Sequence, residues 1–299
     1  MRITPGMTAA NALYNLQQGR AKLDKIQEQI ASGQVLNRPS DDPIGARQIL
    51  DLENKIKEGA QYSSNITKGS LWLNVTDTTL QGIYDVIELA KKAAADIASG
   101  TTDMTLRNNT VTQLTELKTR LVELGNTQLG DQYIFGGFKN DTPPFSTSNN
   151  TFNGTSDRID IEIDLNSRVG INVAGDALLK GTGTYGTPPV DILQVFDDLI
   201  ADVTANDTAG IQQGIRDMVS SSHQVIDAQA DLAGRLVRME AAHTMAERNQ
   251  NTLKNIIASL QEVDYAKAAT ELTQQKTAFE AALASTAKIN NLSLLDYIK

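Results

Sequence analysis

A strict four-three alternation of apolar and small residues runs through the carboxyl half of this chain. Ile211, Ile215, Met218, Ser222, Val225, Gln229, Leu232, Leu236, Met239, His243, Ala246, Gln250, Leu253, Ile257 and Leu260 follow one another at that spacing. Residues so placed share one side of an α-helix and no one side of a strand. Fifty of them in a single helix make a rod of about 75 Å at 1.5 Å per residue. A chain built around such a rod is a bundle or coiled coil of long helices, and other segments repeat the pattern. Leu16, Leu23 and Ile30 sit seven apart, with Ala12, Gly19 and Ile26 interleaved, between a start at Thr4-Pro5 and a stop at Gly33. A second start at Ser40-Asp41-Asp42-Pro43 opens a helix running to about Ala98. In it Leu73, Leu80, Ile87 and Ala94 alternate with Thr76, Ile83, Ala90 and Ile97. A third helix, about Met104 to Leu129, aligns Leu114, Leu117, Leu121 and Leu124, and a fourth begins at Asp191 with Ile192, Val195, Phe196, Leu199 and Val203. After Leu260 the register shifts near Asp264. The seam continues through Leu272, Phe279 and Leu283, and stops at Asn290-Asn291, leaving an apolar tip of Leu292, Leu294, Leu295 and Tyr297.

Between the helical halves the period changes. Ile159, Ile161, Ile163 and Leu165 alternate with Asp160, Glu162 and Asp164, and Val169, Ile171 and Val173 repeat the alternation after Asn166-Ser167-Arg168, which predicts a half-buried hairpin. Pro143-Pro144 and Pro188-Pro189 punctuate its flanks. The fold class is therefore mainly α: a long coiled-coil bundle built from both termini, carrying a small β-rich insertion. Its expected parts are a terminal coiled-coil domain of 1–40 with 265–299, a helical rod of 41–142 with 190–264, and a β-rich insertion of 143–189.

Composition excludes several functions. With 27 basic and 36 acidic residues among 299, the net charge of −9 has the wrong sign for phosphate-driven nucleic-acid binding. The absence of Cys removes disulfides, thiolate zinc sites, iron–sulfur clusters and Cys nucleophiles, and two His leave little for an imidazole metal site or base. No cofactor is expected. No run of 18 apolar residues occurs, so no membrane insertion is expected, and the amino end lacks the apolar stretch of a cleaved signal peptide.

The terminal seams are too narrow to stand alone. The first helix offers about five large apolar residues, less than ordering its backbone demands. The last helix carries a matching stripe and is the obvious first partner. A two-helix hairpin still leaves apolar surface in water, so further copies are implied. The expected assembly interface is Leu16, Leu23, Ile26, Ile30, Leu272, Phe279, Leu283, Leu292, Leu294, Leu295 and Tyr297.

Several stretches resemble the bacterial flagellin superfamily. They are the seam-bearing termini, the internal Pro39-Ser40-Asp41-Asp42-Pro43, and the ending Ser293-Leu294-Leu295-Asp296-Tyr297. Met1-Arg2-Ile3-Thr4, Gly130-Asp131-Gln132-Tyr133-Ile134-Phe135-Gly136-Gly137 and Pro143-Pro144-Phe145 are similar to the branch that joins hook to filament. The resemblance spans 1–145 and 190–299. It implies a non-enzymatic structural adaptor, exported unfolded through the flagellar type III apparatus without a cleaved signal peptide and sited outside the cell. It also implies partners: identical copies in a ring, a hook-side junction protein, flagellin and an export chaperone. A filament-forming flagellin with a reduced outer domain is the alternative. A hydrolase or glycan-binding protein would have to use the insertion, which offers no nucleophile–base pair.

Other features have simpler readings. Gly181-Thr182-Gly183-Thr184-Tyr185-Gly186 spells a dinucleotide fingerprint, but Pro188-Pro189 replaces the helix that would hold phosphates, so a loop is expected. Asp41 and Asp42 next to Pro43 read as a helix cap rather than metal ligands, with Pro39 to Pro43 fixing the joint between two helical shells. His243 reads as a seam histidine, and Met218, Met239 and Met245 as packing on or near the seam.

Overall fold

A computed structural model of the protein describes residues 5–98, 103–146, 149–183 and 185–297, without the side chains of 5, 6, 8 and 289–297. Its helices are α1 (Pro5–Ser32), α2 (Pro43–Ile97), α3 (Met104–Gly125), α4 (Gly175–Leu179), α5 (Ile192–Ala205), α6 (Thr208–Gln261) and α7 (Tyr265–Tyr297). Two antiparallel hairpins lie in the middle, β1 (Gln128–Leu129) with β2 (Gln132–Tyr133) and β3 (Asp160–Asp164) with β4 (Ser167–Gly170). The chain forms two compact units, Gly59–Arg248 and a terminal unit of Met1–Glu58 with Asn249–Lys299. Both α2 and α6 contribute to each.

The unit Gly59–Arg248 holds the apolar core, and the heptads place it. In α2, Leu73, Leu80, Ile87, Ala94, Ile83, Ala90 and Ile97 are buried along with Thr76. The Thr76 hydroxyl is satisfied inside that core by donating to the Trp72 carbonyl at 2.9 Å. From α6, Ile211, Met218, Val225, Leu232 and Met239 meet them, and α5 adds Ile192, Val195, Phe196, Leu199 and Val203. Helix ends are set by short polar side chains. Asp103 accepts the N–H groups of Thr105 and Leu106, Asp191 accepts that of Gln194, and Asp207 accepts those of Ala209 and Gly210. Asn206 closes α5 in the left-handed conformation, φ 57°.

The third helix is shorter than its Leu pattern implies. It ends at Gly125, and Leu129 lies in a strand. The Asn126 amide exchanges two hydrogen bonds, both 2.9 Å, with the backbone of Phe145, clamping the helix end onto the insertion. A Cβ at Gly125 would lie 2.8 Å from the Phe145 ring, so only glycine lets that ring close over the helix end. Gly130, at φ +63°, then turns the first hairpin, and Ile134 and Phe135 insert into the core.

The alternating segment forms the expected hairpin, in short strands. Ile163 and Val169 are buried while Asp160, Glu162 and Asp164 face outward. A register shift between Glu162 and Asp164 takes Leu165 out of the inward set, into an exposed turn with Asn166 at φ +60°. At the other end of the chain, α7 does not break at Asn290-Asn291; the helix continues to Tyr297.

Leu80 is fully buried, so Leu80→Ala is expected to destabilise the unit 59–248 by about 2–5 kcal/mol. Denaturant unfolding followed by the single, buried Trp72 reads this directly, and an unshifted midpoint would contradict the packing.

Candidate assembly interface

Within the terminal unit α1 and α7 lie side by side. A Cβ at Gly33 would sit 2.9 Å from the Tyr265 hydroxyl, and one at Gly19 would sit 3.2 Å from the Phe279 ring. Residue numbers that rise on one helix as they fall on the other make the pair antiparallel. The Gln275 side-chain amide adds a bond to the Gly19 carbonyl at 3.3 Å. Leu16, Leu23, Ile26 and Ile30 on α1, with Leu272 and Phe279 on α7, all point into the pair yet stay half-buried. Leu283 is 46% exposed. A groove of about 520 Å³ runs beside the seam, floored by Leu23, Leu272, Phe279 and Leu283 and edged by Arg20, Asp24, Lys276 and Glu280. The fully buried large side chains, by contrast, belong to the unit 59–248. Leu292, Leu294, Leu295 and Tyr297 lie on α7, but their side chains are outside the described residues.

The joint at the base of this pair is built from both linkers. Helix α1 stops where Gly33 turns to φ +73°. Val35 N–H then donates to Gln261 O at 2.7 Å, Val263 N–H donates to Gly33 O at 3.0 Å, and Gln34 bridges Glu262 antiparallel. Asp41, Asp42 and Pro43 each have a local task. The Asp41 carboxylate accepts the Arg38 N–H at 3.2 Å and pairs with Lys25 at 3.2 Å, tying the linker back to α1. The Lys25 hydrogen bond holds the Asp41 carboxyl below its usual range. Asp42 accepts the N–H groups of Ile44 at 3.0 Å and Gly45 at 3.1 Å, as an N-cap should. Pro43 opens α2, where a missing N–H costs nothing. Among the described residues no group of three His, Cys, Asp or Glu side chains is placed to hold a metal ion.

A polar stripe along α6 fastens the insertion, and sequence reasoning missed it. Fully buried Gln224 donates to Leu178 O at 2.6 Å and Val190 O at 3.1 Å and accepts Val190 N–H at 2.9 Å. Asp227 accepts Gly186 N–H at 3.0 Å, and Asp231 accepts the Tyr185 hydroxyl at 2.9 Å. Arg235 joins Asp231 at 2.5 Å to Asn172 O at 2.6 Å. Positions 224, 227, 231 and 235 share one side of the helix, so their spacing was the available signal. The Gly181–Gly186 segment is a loop held by this stripe. Burial, reinforced by the Asp231 charge, pushes the Tyr185 hydroxyl up to about 12. His223 is exposed, and His243 lies half-buried on the seam, 4.0 Å from Glu247. Met218 and Met239 are buried in the seam, whereas Met245 is exposed.

The family models that match cover both helical halves. The bacterial flagellin N-terminal helical region matches residues 3–140 and the bacterial flagellin C-terminal helical region matches 218–298. The chain belongs to the bacterial flagellin family. Within it, the chain is similar along its whole length to flagellar hook-associated protein 3 of Escherichia coli, at 23% identity with 100% of each chain covered. Flagellar hook-associated protein 3 of Salmonella typhimurium is 22% identical over 98% of both chains. Flagellin FlaB1 of Treponema pallidum is 22% identical over 97% of this chain and 96% of its own. The fold is shared with FlgL of Xanthomonas campestris, at a TM-score of 0.61 and 17% identity over 69% of this chain and 99% of that one. Flagellar hook-associated protein-3 of Legionella pneumophila shares it at a TM-score of 0.63 and 13% identity, over 71% and 98%.

Two predictions test the joint and the stripe. Asp42→Ala should lower stability by about 1 kcal/mol, the usual effect of a lost N-cap, read as a fall in the midpoint of the α1–α2 joint by hydrogen exchange. For Tyr185 the hydroxyl titrates higher when folded than its ordinary value of 10.0. The stability it adds is therefore complete below pH 10 and disappears as pH rises towards about 12. Tyr185→Phe should abolish that part of the alkaline loss, and superimposable pH–stability curves for the two proteins would refute the assignment.

Proposed function

We propose that this chain is a structural adaptor of the bacterial flagellum that joins the hook to the flagellin filament and assembles as a ring of identical copies. The observation that carries the reading is the half-open seam of α1 and α7. Its apolar residues find each other yet keep much of their surface in water, with a groove alongside. A seam in that condition gains stability when another layer of helices covers it. Leu16, Leu23, Ile26, Ile30, Leu272, Phe279 and Leu283 are assigned to this interface, with Leu292, Leu294, Leu295 and Tyr297 extending it towards the carboxyl end.

On this reading the segments 1–40 and 265–299 form the inner coiled coil, 41–142 with 190–264 the rod, and 143–189 the outward insertion. The chain acts without chemistry on a substrate. Its partners are its own copies, a hook-side junction protein, flagellin and an export chaperone. Travel through the flagellar type III apparatus as an unfolded thread and residence outside the cell fit a chain with no Cys to crosslink. Among the described residues no helix is long and apolar enough to cross a membrane.

The full-length similarity to Flagellin FlaB1 keeps a second reading, a filament subunit with a reduced outer region. Deleting the gene separates the two. An adaptor mutant is expected to show bare hooks by negative stain and monomeric flagellin in the medium; a flagellin mutant would lack filament protein altogether. Phe279→Arg introduced into the deletion strain should leave the unfolding of the unit 59–248 unchanged and still fail to restore filaments. Normal filaments on Phe279→Arg cells would remove the terminal seam from assembly. In dilute monomer, trypsin should cut the terminal segments long before the middle, and equal resistance throughout would contradict folding on assembly.

A further inference from the structure

Helix α6 is apolar on two opposite sides, which an ordinary surface helix is not. Its core side, through Leu232 and Met239, is buried. On the far side of the helix, at 100° per residue, lie Ile226, Ala230, Gly234, Val237, Ala241 and Met245. All six are in water, with Ile226 at 44%, Val237 at 69% and Met245 at 55% exposure. Gly234 is the telling residue. A glycine inside a helix is destabilising relative to alanine, and at four other helical glycines a close neighbour accounts for it. Leu124 presses on Gly82, Leu199 on Gly214, Ile161 and Met239 on Gly69, and Phe279 on Gly19. A Cβ at Gly234 would meet nothing within 4 Å. Among the described residues nothing makes the close approach that this glycine permits.

Charge says what covers the strip. Arg216, bonded to Gln213, precedes it and Arg248 follows it on the same side of α6, and the Asp227 carboxylate at its edge accepts the Gly186 N–H. An apolar strip with basic ends complements an acidic surface, and a chain of net charge −9 is one. A closed ring of identical subunits also needs two different patches on each copy. An exposed flank of α2 offers the second, with Leu71, Leu89 and the Asp85 carboxylate, which accepts the Gln81 amide, beside the line on which Leu124 covers Gly82. We infer that the 226–245 side of α6 docks a second copy of this chain, taking that copy's α2 against Gly234. The contact rests on the adaptor reading and names its lateral surface.

The test places a photo-reactive benzoylphenylalanine at Val237 in flagellated cells and irradiates detached flagella. The expected product is a chain–chain adduct whose partner peptide comes from α2. Chain present in the flagella but crosslinked to a different protein, or not crosslinked, overturns this contact and leaves the adaptor reading standing. Chain absent from the flagella fails the adaptor reading, and this contact falls with it. Two further variants exclude a folding artefact. Gly234→Ala should melt higher than wild type as a monomer yet enter flagella less well, because its Cβ occupies the space that the partner's helix needs. Gly234→Leu should melt no lower than wild type as a monomer, since leucine favours helix and the position is open, yet enter flagella at least tenfold less. Wild-type incorporation of Gly234→Leu would also overturn the contact.

Discussion

The seam between α1 and α7 sets the terms on which the two ends of this chain are ordered. It is antiparallel, a few side chains wide, and closed on one side only. Leu16, Leu23, Ile26 and Ile30 face Leu272 and Phe279 without any of them leaving water completely. Helix length does not rescue such a pair. Each added turn contributes one or two half-buried apolar side chains and must order three or four more residues. The middle of the chain meets the opposite condition. There the same heptad spacing closes over several neighbours, and Leu73, Leu80, Ile87, Val225 and Leu232 lose contact with water. One periodic pattern thus yields two stability regimes, decided by how many helices surround the stripe.

The joint after α1 shows how a weak element is held in register by polar bonds. Backbone bonds between the two linkers, at Val35 with Gln261 and Val263 with Gly33, need no apolar burial. Neither does the Lys25–Asp41 pair, which is exposed and contributes orientation more than stability. Capping by Asp42 fixes where α2 begins, so its heptads enter the core in one phase only. These are local, polar constraints that survive when the seam itself is open.

Much of this was legible from residue spacing, because helical periodicity is a property of the chain itself. The fifteen seam positions from Ile211 to Leu260 are buried or half-buried except Leu260, which is exposed. The cap at Asp42, the stop at Gly33 and the hairpin at 160–170 follow from residues adjacent in sequence. Failures came where distant segments decide the outcome. Gly125 ends α3 because Phe145 lies over it, and Leu165 is expelled by a register shift. Asparagines 290 and 291 do not break α7 despite their modest helix propensity. The polar stripe from Gln224 to Arg235 is periodic, but its meaning depends on carbonyls supplied 34 to 65 residues away, between Gly170 and Val190.

That stripe also explains how a segment with so little regular structure stays in place. Between Pro143 and Pro189 the described residues form one short hairpin and one five-residue helix, too little for a core of its own. It borrows rigidity from α6 at two levels. Ile163, Val169, Val173, Leu178 and Leu179 join the apolar cluster of the helices, while Gln224, Asp227, Asp231 and Arg235 satisfy its unpaired backbone and its one anchored tyrosine. A buried amide such as Gln224 strengthens the arrangement because both ends of it are bonded; losing one partner would leave an orphaned polar group. The insertion is therefore free to vary on its outer side, provided that the groups meeting α6 are kept. Helix α6 in consequence serves three environments at once: the core, the insertion and open water, each along its own line of residues.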